Sequence, residues 1–173
     1  FGFRNLQSDL FRFHMIQPRY LQKNDTVAIV STARKISLEE IQPAIELLKS
    51  WGLKVIVGET IGLEANQFAG SDAQRTSDFQ RMLDNPTIKA IWCARGGYGT
   101  VRIVDGLDFT EFKKHPKWIV GYSDITVLHS QLHNFNYETL HATMPLDIAK
   151  CTKQSYISLK KVLFGESLNY EIA

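Results

Sequence analysis

Cysteine is scarce in this sequence: only Cys93 and Cys151 occur, the first inside an apolar run and the second in a polar stretch. Two such residues do not make a disulfide framework, so a reducing compartment is expected. No apolar run reaches the roughly 20 residues that a membrane-spanning helix needs, and none has the layout of a secretory signal. The expectation is therefore a cytoplasmic protein with no membrane partner. Charge of one sign is lacking too. Twenty Lys and Arg stand against 18 Asp and Glu, a formal net charge of +2, and the basic residues are scattered rather than striped. That argues against nucleic acid as the partner. Both common phosphate motifs are missing as well. No Gly-Lys-Ser/Thr occurs, and a G-x-G-x-x-G beginning at Gly97 would need glycine where Arg102 stands. A nucleotide-binding doubly wound domain is disfavoured on that ground.

What is present suits a single globular domain. The 173 residues are 44% hydrophobic and 22% charged, enough for one well-buried core. The first fourteen, "FGFRNLQSDLFRFH", alternate aromatic and basic residues ahead of Met15 and carry no cap or turn signal. They read as a non-native or disordered extension, with a packed N-terminal arm as the other reading.

From Asp25 strands and helices alternate. "TVAIVS" (26–31), "LKVIVG" (53–58), "IKAIWCA" (88–94) and "KWIVGY" (117–122) are short apolar runs of the kind buried on both faces of a sheet. Ser37 with Glu40 forms a capping box at the head of a helix whose Ile41, Ile45 and Leu48 recur at helical spacing. Pro43 is expected near the first turn, where it costs little, and Gly52 closes the helix. A polar stretch (59–72) leads to a helix over Asp72 to Leu83 with Phe79, Met82 and Leu83 as its apolar side. "DITVLHSQLHNF" predicts a helix with Ile125, Leu128, Leu132 and Phe135 facing one way, "YETLHA" a fifth strand, and "SYISLKKVLFG" (155–165) a last helix ended by Gly165. This alternation predicts an α/β fold: a mostly parallel sheet flanked by helices on both faces. In such sheets ligands sit beyond the carboxyl ends of the strands.

Two turns fall at that edge. The first is "CARGGYGT" (93–100), three glycines directly after a strand. Paired glycines let backbone N–H groups face an anion, or they simply let strand and helix pack closely. The second is Gly121-Tyr122-Ser123-Asp124, where a strand runs into a helix. The G-x-S-x-G pattern is incomplete because Ile125 stands at its last glycine. Ser123 is either a nucleophile on an elbow or the N-cap of the following helix. As a nucleophile it would leave the Asp124 N–H free for an oxyanion, with Gly96 and Gly97 on the neighbouring strand end as the second donor.

Histidine does not complete the machinery. His129 and His133 are four apart on one helix and His141 follows, but Ser130 stands where the zinc-peptidase pattern requires glutamate. Partly exposed helix-face histidines are expected, with no metal and no cofactor. A serine hydroxyl needs a base oriented by a carboxylate. His141 is the one candidate near the edge, and nothing in its spacing brings it to Ser123.

The segments "FAGSDAQRTSDFQRML", "IKAIWCARGGYGTVRIVDGLDF", "WIVGYSDITVLH" and "LHATMP", in this order and spacing, resemble the LD-carboxypeptidases. That serine peptidase family includes murein tetrapeptide carboxypeptidases and microcin C self-immunity proteins. The resemblance runs from about Met15 to the C-terminus. It implies Ser123 as nucleophile, the N–H groups of Asp124 and of Gly97 or Gly96 as oxyanion hole, and metal-free cleavage before the terminal D-alanine of cytoplasmic murein peptides. It also points to Tyr98, His141 and Met144 as substrate contacts. The loop "HATMP" (141–145) departs from the family's His-Gly-Pro. Family members are also much longer, and the resemblance places their glutamate and histidine in a C-terminal domain. Residues 15–166 thus correspond to the N-terminal nucleophile-bearing domain, and 167–173 to the start of a linker to a C-terminal domain with no counterpart here. The chain alone is then expected to be nearly inactive, with an uncovered face that favours homodimers or aggregation. A reading from another class remains: a non-catalytic module gripping a carboxylate, phosphate or peptide at the same edge. A microcin C-type immunity peptidase is the further alternative.

Overall fold

The computed structural model describes residues 15–169. The expected extension at 1–14 lies outside them, as do residues 170–173 of the expected linker. Five strands form one parallel sheet: β1 (Thr26–Val30), β2 (Lys54–Val57), β3 (Ile88–Cys93), β4 (Trp118–Gly121) and β5 (Leu140–His141), in the order β2-β1-β3-β4-β5. All four pairings are parallel, so every strand ends on the same edge. The helices are α1 (Leu38–Ser50), α2 (Asp72–Asp84), α3 (Thr110–Lys114), α4 (Thr126–His133) and α5 (Lys153–Leu163). No helix among the described residues is long and apolar enough to cross a membrane.

Alternation along the strands divides the core in two. Val27, Ile29, Ala90, Trp92, Trp118 and Val120 face α1 and α5. Ala28, Val30, Ile91, Cys93 and Ile119 face α2, α3 and α4. The chain order reverses between β1 and β3, which opens a crevice beyond their carboxyl ends.

The capping box at α1 forms as expected, with Ser37 accepting from the Glu40 N–H. Pro43, however, lies inside the helix rather than in its first turn, so one intrahelical hydrogen bond is lost there. Gly52 at φ +80° closes the helix beside the Trp51 cap. The fifth strand is shorter than the sequence suggests. Tyr137 pairs with Ile16 instead of the sheet, and Glu138 N–H bonds the Ile16 carbonyl, so only Leu140 and His141 reach β4. The five-residue helix α3 carries no periodicity long enough to read in the sequence.

Lys117 is fully buried, and its ammonium donates to the Met82, Leu83 and Asn85 carbonyls at the C-terminal end of α2. A cation there satisfies orphan carbonyls and complements the helix dipole. Burial, reinforced by Lys89, pushes its pKa down to about 8. Lys117→Met is expected to destabilise the fold by about 3 kcal/mol at neutral pH, because buried acceptors lose their donor. The folded pKa lies below the unfolded one, so the unfolded chain holds the proton longer. The native protein should therefore gain stability relative to Lys117→Met as pH rises from 8 toward 10.5. Urea unfolding of both proteins across that range measures it.

Candidate active site

β4 ends at Gly121 and the chain turns at once into a 3-10 turn, Ser123–Ile125, that runs on into α4. The bend is tight: a Cβ on Gly121 would lie 2.8 Å from Ile125 Cγ1. Ser123 takes φ +61°, a left-handed conformation that costs a non-glycine residue about 1–2 kcal/mol. Its side chain is exposed, and Oγ has no hydrogen-bond partner among the described residues. Ser123 is not the helix cap, because Tyr122 occupies that position. A strained, exposed and uncapped serine at the tip of the bend is the geometry of an elbow.

The glycine-rich turn after β3 packs directly against it. A Cβ on Gly96 would sit 3.4 Å from the Ser123 Cβ, the Asp124 Cβ and the Asp124 backbone nitrogen. The N–H groups of Gly96, Gly97 and Asp124 have no acceptor among the described residues. Asp124 ties the two turns together: its carboxylate accepts the Thr100 N–H at 2.9 Å, and the Thr100 hydroxyl meets the Thr32 hydroxyl at 2.8 Å. The ends of β1, β3 and β4 are thus linked by one polar chain. Gly99, at φ +151°, leaves room for the same approach, since a Cβ there would come within 2.8 Å of the Ala33 Cα. Below the turn, burial raises the Cys93 thiol far above its ordinary pKa, so it stays protonated. Both cysteines are free.

The histidines depart from expectation in one respect. His133 is exposed, but His129 is only 6% exposed, with Nε2 3.0 Å from the Gly121 carbonyl. Since a carbonyl only accepts, Nε2 carries the proton, and the buried Nδ1 has no partner. Burial lowers its pKa and keeps the ring neutral. On acidification below pH 6.5 the unfolded chain takes up a proton that the folded chain resists, so stability falls. His129→Leu should abolish that component. The native protein's advantage over the variant is expected to shrink from pH 7 to pH 5, read by urea unfolding.

His141 is exposed opposite Gly121 in the register of β5, with its ring 6.0 Å from Tyr122 and 6.2 Å from His129. No hydrogen bond joins it to Ser123 among the described residues. Tyr98 is 50% exposed beside the glycine turn. Met144, by contrast, is 3% exposed and packs in the core with Ile125 and Leu128, because the Trp92 indole holds the Thr143 carbonyl and turns the loop inward. That side chain is a packing residue in this geometry. No group of three or more His, Cys, Asp or Glu among the described residues is gathered to hold a metal. The Asp124–Thr100–Thr32 link and Arg34, whose side chain lies against Gly97, carry no motif, and only the shared sheet edge brings them together.

Comparison with known proteins places the chain in a family. Residues 27–142 match the family described as the LD-carboxypeptidase N-terminal domain. A probable murein peptide carboxypeptidase of Bacillus subtilis is 37% identical over 158 residues, 87% of this chain and 48% of that protein. The murein tetrapeptide carboxypeptidase of Pseudomonas aeruginosa is 31% identical over 116 residues, 66% of this chain and 38% of its own length. The chain therefore spans half or less of these relatives. Among solved structures, the microcin C7 self-immunity protein MccF in complex with aspartyl sulfamoyl adenosine shares the fold with a TM-score of 0.80 at 22% identity, over 89% of this chain and 49% of that one. A muramoyltetrapeptide carboxypeptidase from Oxalobacter formigenes gives 0.69 at 25% identity, over 79% and 47%. With the family match covering most of the sheet and both turns of the site, the chain belongs to the LD-carboxypeptidases.

Proposed function

We propose that this chain carries the nucleophile and oxyanion hole of a serine L,D-carboxypeptidase acting on murein tetrapeptides. The observation that carries the reading is Ser123: exposed at φ +61°, with Gly96 and the Asp124 N–H packed against it. Its Oγ attacks the carbonyl before the terminal D-alanine, and the oxyanion accepts from Asp124 and from Gly96 or Gly97. D-Alanine leaves with a proton, and one water then hydrolyses the acyl ester. The proton-transfer step needs a base, and none among the described residues is hydrogen-bonded to Ser123. The longer relatives have about as much chain again, which is where we place the missing base and its carboxylate partner.

The test is D-alanine release from L-Ala-γ-D-Glu-meso-diaminopimelyl-D-Ala, by the chain alone and with the C-terminal half of a longer relative added in trans. The chain alone is expected to stay at the level of its Ser123→Ala variant, since losing a triad base costs about 10⁶ in turnover. Release in trans should depend on Ser123. Release by the chain alone would assign the base to these residues, with His141 the first candidate. Tight peptide binding without release in either case, unchanged by Ser123→Ala, would favour the non-catalytic module.

A further inference from the structure

The crevice where the strand order reverses, between the ends of β1 and β3, holds an uncompensated guanidinium. Arg34, on the loop after β1, is exposed and forms no ion pair among the described residues. Neighbouring Lys35 is already paired with Glu64 at 2.7 Å, so Arg34 is the free cation of the pair. Its position is built, not incidental. The Arg34 backbone bridges Phe68, Lys35 N–H bonds the Gln67 carbonyl, and Arg95 Nη1 bonds the Lys35 carbonyl at 3.0 Å. Phe68 is itself held by Arg75 and Arg102, whose guanidinium carbons lie 4.7 and 5.3 Å from its ring centre. The Arg34 stem then lies across the bare face of Gly97, where a Cβ would come within 2.7 Å of Cγ and Cδ and 2.9 Å of Nε.

The spacing matters. Gly96 packs against Ser123, and the next residue, Gly97, packs against Arg34. Two adjacent residues, one Cα step of about 3.8 Å apart along the chain, therefore touch the elbow serine and the Arg34 stem. In a peptide cut one residue from its end, the free carboxylate lies about one such step beyond the scissile carbonyl. We propose that Arg34 binds the terminal α-carboxylate of the substrate and so fixes the cut at a single residue. Guanidinium and carboxylate match as a two-pronged charge-assisted pair, with the free Gly97 N–H alongside as a further donor. This rests on the carboxypeptidase reading. It adds that the enzyme's restriction to chain ends is set by an arginine within this chain.

The test is binding by calorimetry to the Ser123→Ala chain, which cannot turn over. The probes are L-Ala-γ-D-Glu-meso-diaminopimelyl-D-Ala and the same peptide with a C-terminal amide. The acid should bind about tenfold or more tightly than the amide, as expected of a charge-assisted pair. Adding Arg34→Gln should bring the ratio to about one, and Arg34→Lys should restore part of it. Both variants are checked by circular dichroism, because the side chain is exposed and its loss should leave the fold intact. The same acid-to-amide ratio in Arg34→Gln as in the parent overturns the proposal, as does the absence of any preference in the parent. D-Alanine release tests the catalytic reading separately: failure of release with the ratio intact would leave Arg34 as a carboxylate-binding residue of a non-catalytic site.

Discussion

Ser123→Ala is expected to lower D-alanine release by about 10⁶-fold once a base is supplied, the largest effect of any substitution in the chain. The proposed oxyanion donors and peptide contacts survive the change, so a small Ser123-independent rate should remain. Stability should respond differently from activity. Ser123 sits at φ +61° with no hydrogen bond from its hydroxyl among the described residues, so the fold gains nothing from the side chain and bears the strain of the backbone. Alanine keeps that strain, whereas glycine removes it. Ser123→Gly should therefore be inactive yet more stable than the native chain by about 1 kcal/mol. A strained nucleophile maintained at the expense of stability is the pattern of a functional site, and thermal unfolding of the two variants separates it from a serine retained for packing.

Gly96→Ala carries the second large effect. The new methyl would stand 3.4 Å from the Asp124 nitrogen and from the Ser123 Cβ, an ordinary contact distance that the fold can accept. It would, however, crowd the Asp124 nitrogen, whose N–H is the proposed oxyanion donor. Removing one oxyanion donor costs about 10²–10³ in turnover, so the assembled enzyme should lose that much with its melting temperature nearly unchanged. The adjacent position behaves differently. Gly97 lies at φ +120° with the Arg34 stem against it, so alanine there strains the backbone and displaces Arg34. A fall in activity matched by an equal fall in stability at Gly96 would point to packing rather than to the hole.

The sheet and its two helical layers were legible because β1, β3 and β4 are apolar runs bounded by clear turn residues, and because Ser37 and Glu40 announce α1. The end of the sheet was not. Tyr137 continues a plausible strand, but its pairing with Ile16 over a separation of more than a hundred residues decides where β5 begins. The elbow and the glycine turn could be named from local spacing. Their contact could not be derived from it, since it depends on β3 and β4 being neighbours in the sheet. His129 departs from the expected partial exposure for a related reason: one face of α4 lies on the elbow itself, so the ring is buried against Gly121 instead of facing solvent. Arg34 carries no signal in the sequence. A single arginine in a loop has no motif, and its meaning comes from Gly97, 63 positions along the chain.

The most direct test of the central assignment is covalent capture, with a fluorophosphonate, of the 173-residue chain supplied with the C-terminal half of a longer relative, read by intact mass and peptide mapping. One adduct is expected, on Ser123, absent from Ser123→Ala and slower to form in Gly96→Ala. No adduct, or one on a different serine formed as fast in Ser123→Ala as in the native chain, would contradict the placement of the nucleophile at this elbow.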